Sequence, residues 1–199
     1  MTQIEIGRLL RAGTTGFIAG CRVSQLTVPS LGALVYASLE GGKYKIYGLI
    51  HDIHIDDDGL VRQLVTSENI SDAVMRDSRE NRIVPVEMSV LAVGYEQDGK
   101  IFHLLPPRPP LSLDVIYLCD DKDLAKFTSA GRFGYFRHIL RATDVPIGEV
   151  LSAHLMQAEK AHGKNSAVWE ENAVRELITL LRDDYPTLMS VLGALGEVV

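Results

Sequence analysis

A segment rich in arginine and aromatic residues is the part of the chain whose residue types could bind a charged ligand. The side chains that could contact a nucleic acid there are Arg132, Phe133, Tyr135, Arg137 and Arg141. Guanidinium groups bind phosphates and aromatic rings stack on bases, so this composition is typical of single-strand binding. The alternative is a strand with one buried aromatic face and one solvated basic face.

Nucleotide-dependent and nucleophilic chemistry are not expected from the sequence. A phosphate-binding loop needs a Gly-Lys pair followed by Ser or Thr, because the loop amides and the lysine hold the phosphates. None of the three Gly-Lys pairs in the chain is followed by Ser or Thr. No catalytic base is evident beside Cys21 or Cys119, and both are interpreted as small buried residues. The sequence therefore predicts no enzymatic activity, no catalytic residues and no cofactor.

The histidines are the candidates for a metal site, and their spacing argues against one. His51 and His54 lie on a predicted strand, where side chains alternate, so they are expected to face opposite sides. His154 and His162 lie eight residues apart on a predicted helix, about 12 Å along its axis, which is too far to share an ion. No metal site is predicted.

Composition and charge limit the class of protein. The 199 residues are 46% hydrophobic and 23% charged, with a net charge of −6, which is typical of a globular protein. The acidic balance argues against non-specific coating of phosphate backbones. Two cysteines, no basic and apolar leader, and no run of about 18 apolar residues predict a cytoplasmic protein without a membrane span.

Short strands dominate the pattern of the first half, and helices that of the second. Runs of apolar residues predict strands over 4–10, 17–23, 34–40, 43–55, 84–95, 100–105 and 113–119. Apolar stripes and an acidic start predict helices over 120–127, 147–161, 166–182 and 187–195. The polar stretch 66–82 is interpreted as a long loop with one or two helical turns.

The predicted fold class is α+β, with two regions. A small N-terminal β-barrel is expected in residues 1–110, because many short strands with glycine turns are typical of barrels and sandwiches. A mixed segment and C-terminal helices are expected in residues 111–199. Four prolines within 106–110 force an extended link between the two regions.

Several short motifs follow one another in a characteristic order along the first region. They are Ile6–Leu10, Leu31–Val35, Ile46–Ile53, the link Pro106–Pro110 and the strand Val115–Tyr117. This order resembles the N-terminal barrel of HerA-type DNA translocases, called the HAS barrel because ATP synthase subunits share it. The similarity covers about residues 4–155.

The resemblance implies a role in assembly rather than in catalysis. In HerA-type proteins a histidine-containing segment leads into the phosphate-binding loop, and Ala153–Leu155 looks like that segment. Only the helical residues 156–199 follow, in place of an ATPase. The resemblance therefore implies a non-catalytic assembly or adaptor protein that oligomerises or docks on a partner ATPase or nuclease in DNA processing. The alternative function is a nucleic-acid-binding module that uses the segment 132–141.

The C-terminal helices predict a surface for self-association. The stretch 187–195 is apolar nearly all round, and such a helix is either sunk in a core or covered by another chain. Because a small barrel is expected to offer no second core, a homo-oligomer is predicted. The candidate interface residues are Trp169, Leu188, Met189, Leu192 and Leu195. Packing within the chain against 150–158 is the alternative.

Overall fold

The computed structural model describes residues 3–22, 29–56, 59–67, 70–80 and 85–196. Its strands are β1 (Ile4–Ala12), β2 (Gly16–Cys21), β3 (Leu34–Leu39), β4 (Tyr44–Ile55), β5 (Val86–Gln97), β6 (Lys100–Phe102) and β7 (Val115–Leu118). Its helices are α1 (Leu60–Thr66), α2 (Asp72–Glu80), α3 (Asp121–Ser129), α4 (Phe136–Leu140), α5 (Ile147–His162), α6 (Ser166–Leu180) and α7 (Tyr185–Gly196). Val23 and Val84, at the ends of two predicted strands, lie outside the described residues.

Six of the strands form a closed antiparallel barrel. Their order is β2-β1-β7-β3-β4-β5, and the pairing of β2 with β5 closes the barrel. The short strand β6 extends the sheet beyond β5 through a turn at Asp98 and Gly99. The predicted α+β fold with a barrel is therefore confirmed.

The barrel extends past the predicted boundary at residue 110. Strand β7 lies between β1 and β3, where Ile116 pairs with Gly7 on one side and with Ala37 on the other. The proline-rich link cannot continue a strand ladder, because proline has no amide hydrogen. The chain nevertheless returns to the sheet soon after the link. The region predicted as separate thus supplies a strand that the barrel needs.

Inward-pointing apolar side chains fill the barrel. The inward residues of β2 and β5, all buried, are Phe17, Ala19, Cys21, Val86, Met88 and Val90. Because side chains alternate along a strand, the residues between them face outward. The interior of the barrel is therefore a packed core.

A second core lies between the outside of the barrel and the helices. Outward-facing residues of β3 and β4 join apolar residues of α3–α7 in one buried cluster. The ring of Tyr47 on β4, for example, lies 4.8 Å from that of Phe127 on α3. Helix α7 packs on α5, and Val191 is fully buried. The premise that a small barrel offers no second core is therefore wrong.

Two segments differ from their predicted secondary structure. The strand expected as the alternative within 132–141 is wrong, because residues 136–140 form helix α4. The turn before this helix holds Gly131, Arg132 and Phe133 in the left-handed region, with φ of 56°, 51° and 57°. The predicted loop 66–82 contains the end of α1 and all of α2, and its residues 68–69 and 81–82 lie outside the described residues.

Candidate functional site

A cleft of about 870 Å³ lies between the barrel and helix α4. We call this surface the basic cleft, and its cationic and imidazole side chains are Arg11, His51, Arg137, His138 and Arg141. Arg11 comes from β1, His51 from β4, and the other three from α4 and the residue that follows it. None of the described residues that line the cleft is acidic. The cleft therefore has the composition of an anion-binding surface.

Hydrogen bonds to one carbonyl position the α4 side chains of the basic cleft. Arg137 donates through Nη2 to the His103 carbonyl oxygen, and His138 Nε2 donates to the same oxygen at 3.2 Å. His103 is itself buried, and its Nε2 donates to the Phe127 carbonyl at 3.1 Å. All of these hydrogen bonds are formed within the chain. They fix the position of α4 in the absence of a ligand.

The electrostatics of the basic cleft are set by its arginines. Burial lowers the pKa of His138, a hydrogen bond to the His103 carbonyl acts in the opposite direction, and the charges of Arg137 and Arg141 lower the pKa further. The imidazole is therefore neutral near pH 7. The positive charge of the cleft comes from guanidinium groups, which stay protonated at any pH of interest.

His51 lines the basic cleft beside the arginines. It lies at an irregularity of β4, where the pairing with β5 passes from Ile50 to Asp52. Its Nδ1 is buried and has no hydrogen-bond partner among the described residues. Burial lowers the pKa of this imidazole, and the Asp52 carboxylate acts in the opposite direction. A neutral imidazole carries one hydrogen-bond donor and one acceptor.

The structure places the three predicted arginines on two surfaces. Arg137 and Arg141 lie in the basic cleft, whereas Arg132 lines a separate cavity of about 380 Å³ beside Trp169. Sequence reasoning missed Arg11, because β1 is remote from α4 in the sequence and only the barrel brings the two together. No local motif around Arg11 indicates that role.

The two predicted aromatic contacts lie in different surroundings, and neither lines the basic cleft. Tyr135 is fully buried, and its hydroxyl donates to His154 Nε2 at 3.1 Å. Phe133 is half-buried and stacks on Phe136, with ring centroids 5.3 Å apart. Tyr135 therefore offers no face to a base, and Phe133 lines the separate cavity rather than the basic cleft.

Trp169, a predicted interface residue, faces the core of its own chain. It is buried, and its indole N–H donates to the Thr128 carbonyl at 3.5 Å. Its ring stacks on His162 with centroids 4.6 Å apart. The apolar stripe of α6 on which the self-association prediction relied is thus partly covered within the chain.

The predicted interface residues of α7 divide into packed and exposed positions. Leu188 and Leu195 pack against the second core, and Leu192 is half-buried. Met189 is exposed. Helix α7 therefore uses one side for packing within the chain, and its outer side is the part available to a second subunit.

A turn with two exposed leucines follows the proline-rich link. We call residues 111–114 the leucine turn, in which Leu111 is 69% and Leu113 is 70% exposed. The Leu113 amide donates to the Leu9 carbonyl of β1 at 2.8 Å. The Leu111 amide donates to the Asp114 carboxylate at 2.8 Å. The backbone of the turn is thus fixed against the barrel while both leucine side chains face outward.

His54 lies in a cluster of carboxylates towards the end of β4. Its Nδ1 donates to Asp52 at 3.1 Å, and its Nε2 lies 3.9 Å from Asp56 and 3.7 Å from Glu87 of β5. Ligand atoms of His54, Asp56 and Glu87 lie within 4.8 Å of one another. Sequence reasoning missed this group because the register of β4 and β5 brings Glu87 opposite His54. His51 is not part of this cluster.

The two cysteines lie in apolar surroundings. Both are free and buried, and burial raises the pKa of each thiol. Thiols rather than thiolates are present near pH 7, and the thiol is the weaker nucleophile. These positions agree with the interpretation of both residues as packing groups.

The comparisons with known proteins leave the family open. Within the described ranges, no helix is long and apolar enough to cross a membrane. No protein-family model matches the chain, and no curated protein matches it significantly in sequence. The resemblance to HerA-type barrels therefore stays a prediction from its motifs.

Proposed function

We propose that the protein is a non-catalytic assembly or adaptor module that docks on another protein chain through the leucine turn. The observation that carries the proposal is the outward display of two large apolar side chains on a fixed turn. Leu10, on the strand beside the turn, is exposed as well. Exposed apolar side chains are common singly, whereas neighbouring ones mark contact surfaces.

The backbone of the leucine turn supports a role for its side chains. Leu113 has a φ of 72°, in the left-handed region that glycine adopts freely. For other residues this conformation costs about 1–3 kcal/mol and persists only where the surroundings hold it. Here the hydrogen bonds from the Leu113 amide to the Leu9 carbonyl and from the Leu111 amide to the Asp114 carboxylate stabilise the conformation. A leucine at a position suited to glycine is consistent with selection for its side chain.

The partner that this proposal favours is a component of a DNA-processing assembly. In HerA-type proteins, which the barrel motifs resemble, the barrel serves ring assembly and the docking of a nuclease. The candidates are therefore a second copy of the chain, an ATPase or a nuclease. The two free cysteines are consistent with the reducing conditions of the cytoplasm.

Light scattering after gel filtration tests the proposal directly. We expect a mass above the 21.9 kDa of one chain, or a stable complex when a HerA-type ATPase or its nuclease from the same genome is co-expressed. Replacing both leucines (Leu111→Ser with Leu113→Ser) should return the protein to a monomer or release the partner. Burying each leucine against a partner is worth about 1.5–3 kcal/mol, so the loss should be clear.

A matched control separates docking from general surface polarity. Val65→Ser with Val168→Ser changes two valines that are 73% and 66% exposed on other elements, and it should leave the assembly intact. A protein that is monomeric at every concentration and retains neither ATPase nor nuclease would overturn the proposal. A leucine-turn variant that assembles as well as the wild type would overturn the assignment of the surface.

A further inference from the structure

The three arginines of the basic cleft have no carboxylate partner within the described part of the chain. Exposed arginines elsewhere do pair with acids, as Arg175 does with Glu171 at 2.7 Å. Arg137 and Arg141 stand one helical turn apart, where like charges repel each other. In a chain with a net charge of −6, an acid-free group of three arginines indicates an anionic ligand.

The helix end explains only part of this charge. Cations are favoured near a helix C-terminus by the backbone dipole, which accounts for Arg141 at the end of α4. It does not account for Arg11, which reaches the cleft from β1. The guanidinium of Arg137 is fixed by its hydrogen bond to the His103 carbonyl. The other two arginines of the cleft, Arg11 and Arg141, are exposed.

Neutral hydrogen-bonding groups accompany the arginines. Thr15, Ser89 and Thr143, whose side chains carry hydroxyls, also line the cleft. His51 also lines the cleft, and its Nδ1 is buried. Hydroxyls and imidazoles bond to phosphate oxygens as arginine does, although more weakly. These groups surround a volume of about 870 Å³, more than a single phosphate group needs.

From this arrangement we infer that the basic cleft binds the phosphate backbone of a single-stranded nucleic acid without reading its sequence. Three guanidinium groups, one from β1 and two from the end of α4, match a ligand with several linked phosphates. A duplex is stiff and convex, whereas a single strand is flexible enough to follow a concave surface. The inference does not depend on the leucine turn or on any protein partner.

The residues that line the basic cleft favour contacts with phosphates over contacts with bases. Of the described lining residues, Phe17 carries the only phenyl, phenol or indole ring, and it is buried. Sequence-tolerant binders usually add base stacking, which this cleft does not provide. Binding should therefore depend on phosphates alone. With three neutralised phosphates, the slope of log affinity against log salt should be about −2 for a single strand.

Fluorescence anisotropy of a labelled oligothymidylate, titrated with the full chain at several KCl concentrations, tests the inference. We expect a dissociation constant of about 1–100 µM at low salt and a slope of about −2. Arg11→Gln with Arg141→Gln should weaken binding about tenfold or more at low salt and reduce the slope to about −0.7. Arg137 is left unchanged because it holds α4. An oligomer of mixed base sequence should bind as tightly as oligothymidylate.

The matched control is Arg175→Gln with Arg182→Gln, which removes the same charge from the exposed surface of the C-terminal helical region. It should keep both the affinity and the slope. If the control and the cleft variant lose affinity equally, the basic cleft is not the binding site. A duplex that binds as tightly as the single strand would overturn the ligand class. Displacement by pyrophosphate at an equal phosphate concentration would also overturn it, in favour of a small phosphate compound.

Discussion

At the scale of single residues, a glycine and a histidine join the barrel to the helices. His154 Nδ1 donates to the Gly32 carbonyl at 3.1 Å, and its other nitrogen accepts from Tyr135. Gly32 has a φ of 73°, and a Cβ there would lie 2.6 Å from the His154 amide nitrogen and 2.8 Å from the Ala153 Cβ. The turn before β3 and helix α5 approach so closely that only glycine fits between them.

Gly48, in strand β4, is a second position where a side chain would not fit. A Cβ at Gly48 would lie 2.4 Å from Val90 Cγ1 and 2.9 Å from the Leu91 carbonyl oxygen, and the latter is backbone that cannot rotate away. We expect Gly48→Val to destabilise the fold by about 1–3 kcal/mol through overpacking. Urea denaturation measures this. Gly13→Val, whose Cβ would meet only the Gly16 carbonyl at 3.7 Å, should cost much less. Equal midpoints for the two variants would contradict the prediction.

At the scale of elements, helix α7 shows how packing divides an apolar helix. Val191 is fully buried, whereas Met189, two residues earlier, is exposed. We expect Val191→Ala to lower the free energy of unfolding by about 1–3 kcal/mol, because it leaves a cavity, and Met189→Ala to change it little. Thermal or urea unfolding checks the pair. If Met189→Ala is the more destabilising, the exposed side of α7 must be covered by a second subunit, as the sequence predicts.

The elements also show how far the sequence alone could lead. Alternating apolar residues identified the barrel strands, because each strand has an inner face that must be apolar. The sequence predicts only one or two helical turns in the region of α2. Ser71 accepts from the Val74 amide at 3.4 Å, and the signal of this N-cap lies within a polar stretch. The strand alternative for 132–141 failed because the left-handed turn at 131–133 has no reliable sequence signature apart from one glycine.

The basic cleft could not be predicted for a different reason. Arg137 and Arg141 are visible as a local cluster, and both lie in the cleft. Arg11 and His51 join them only through the closure of the barrel, and no short-range pattern encodes that closure. Aromatic residues near arginines are typical of base stacking, so the sequence predicts a ligand contact at Tyr135. The burial of this ring shows that it belongs to the second core.

At the scale of the whole molecule, buried histidines make the free energy of unfolding depend on pH. His154 is fully buried, and burial lowers its pKa to about 4, with the hydrogen bond to the Gly32 carbonyl acting in the opposite direction. Burial likewise lowers the pKa of His103 to about 4. In the unfolded chain both are expected to titrate near the ordinary value of about 6.5. His154 lies on α5, and His103 directly follows β6.

Between these pKa values the unfolded chain binds protons that the folded chain does not, so stability falls as pH falls from about 6.5 to about 4. His154 alone should account for about 3 kcal/mol at the acid end. Urea unfolding at several pH values across this range measures the dependence. His154→Gln keeps an amide donor and a carbonyl acceptor without titrating, so its stability should vary less with pH even if it is lower at pH 7. A pH profile parallel to that of the wild type would show that His154 is not the group responsible. The barrel and the helical layer should be lost in one transition, because His154 and Gln157 both bond across them, to Gly32 and Leu31.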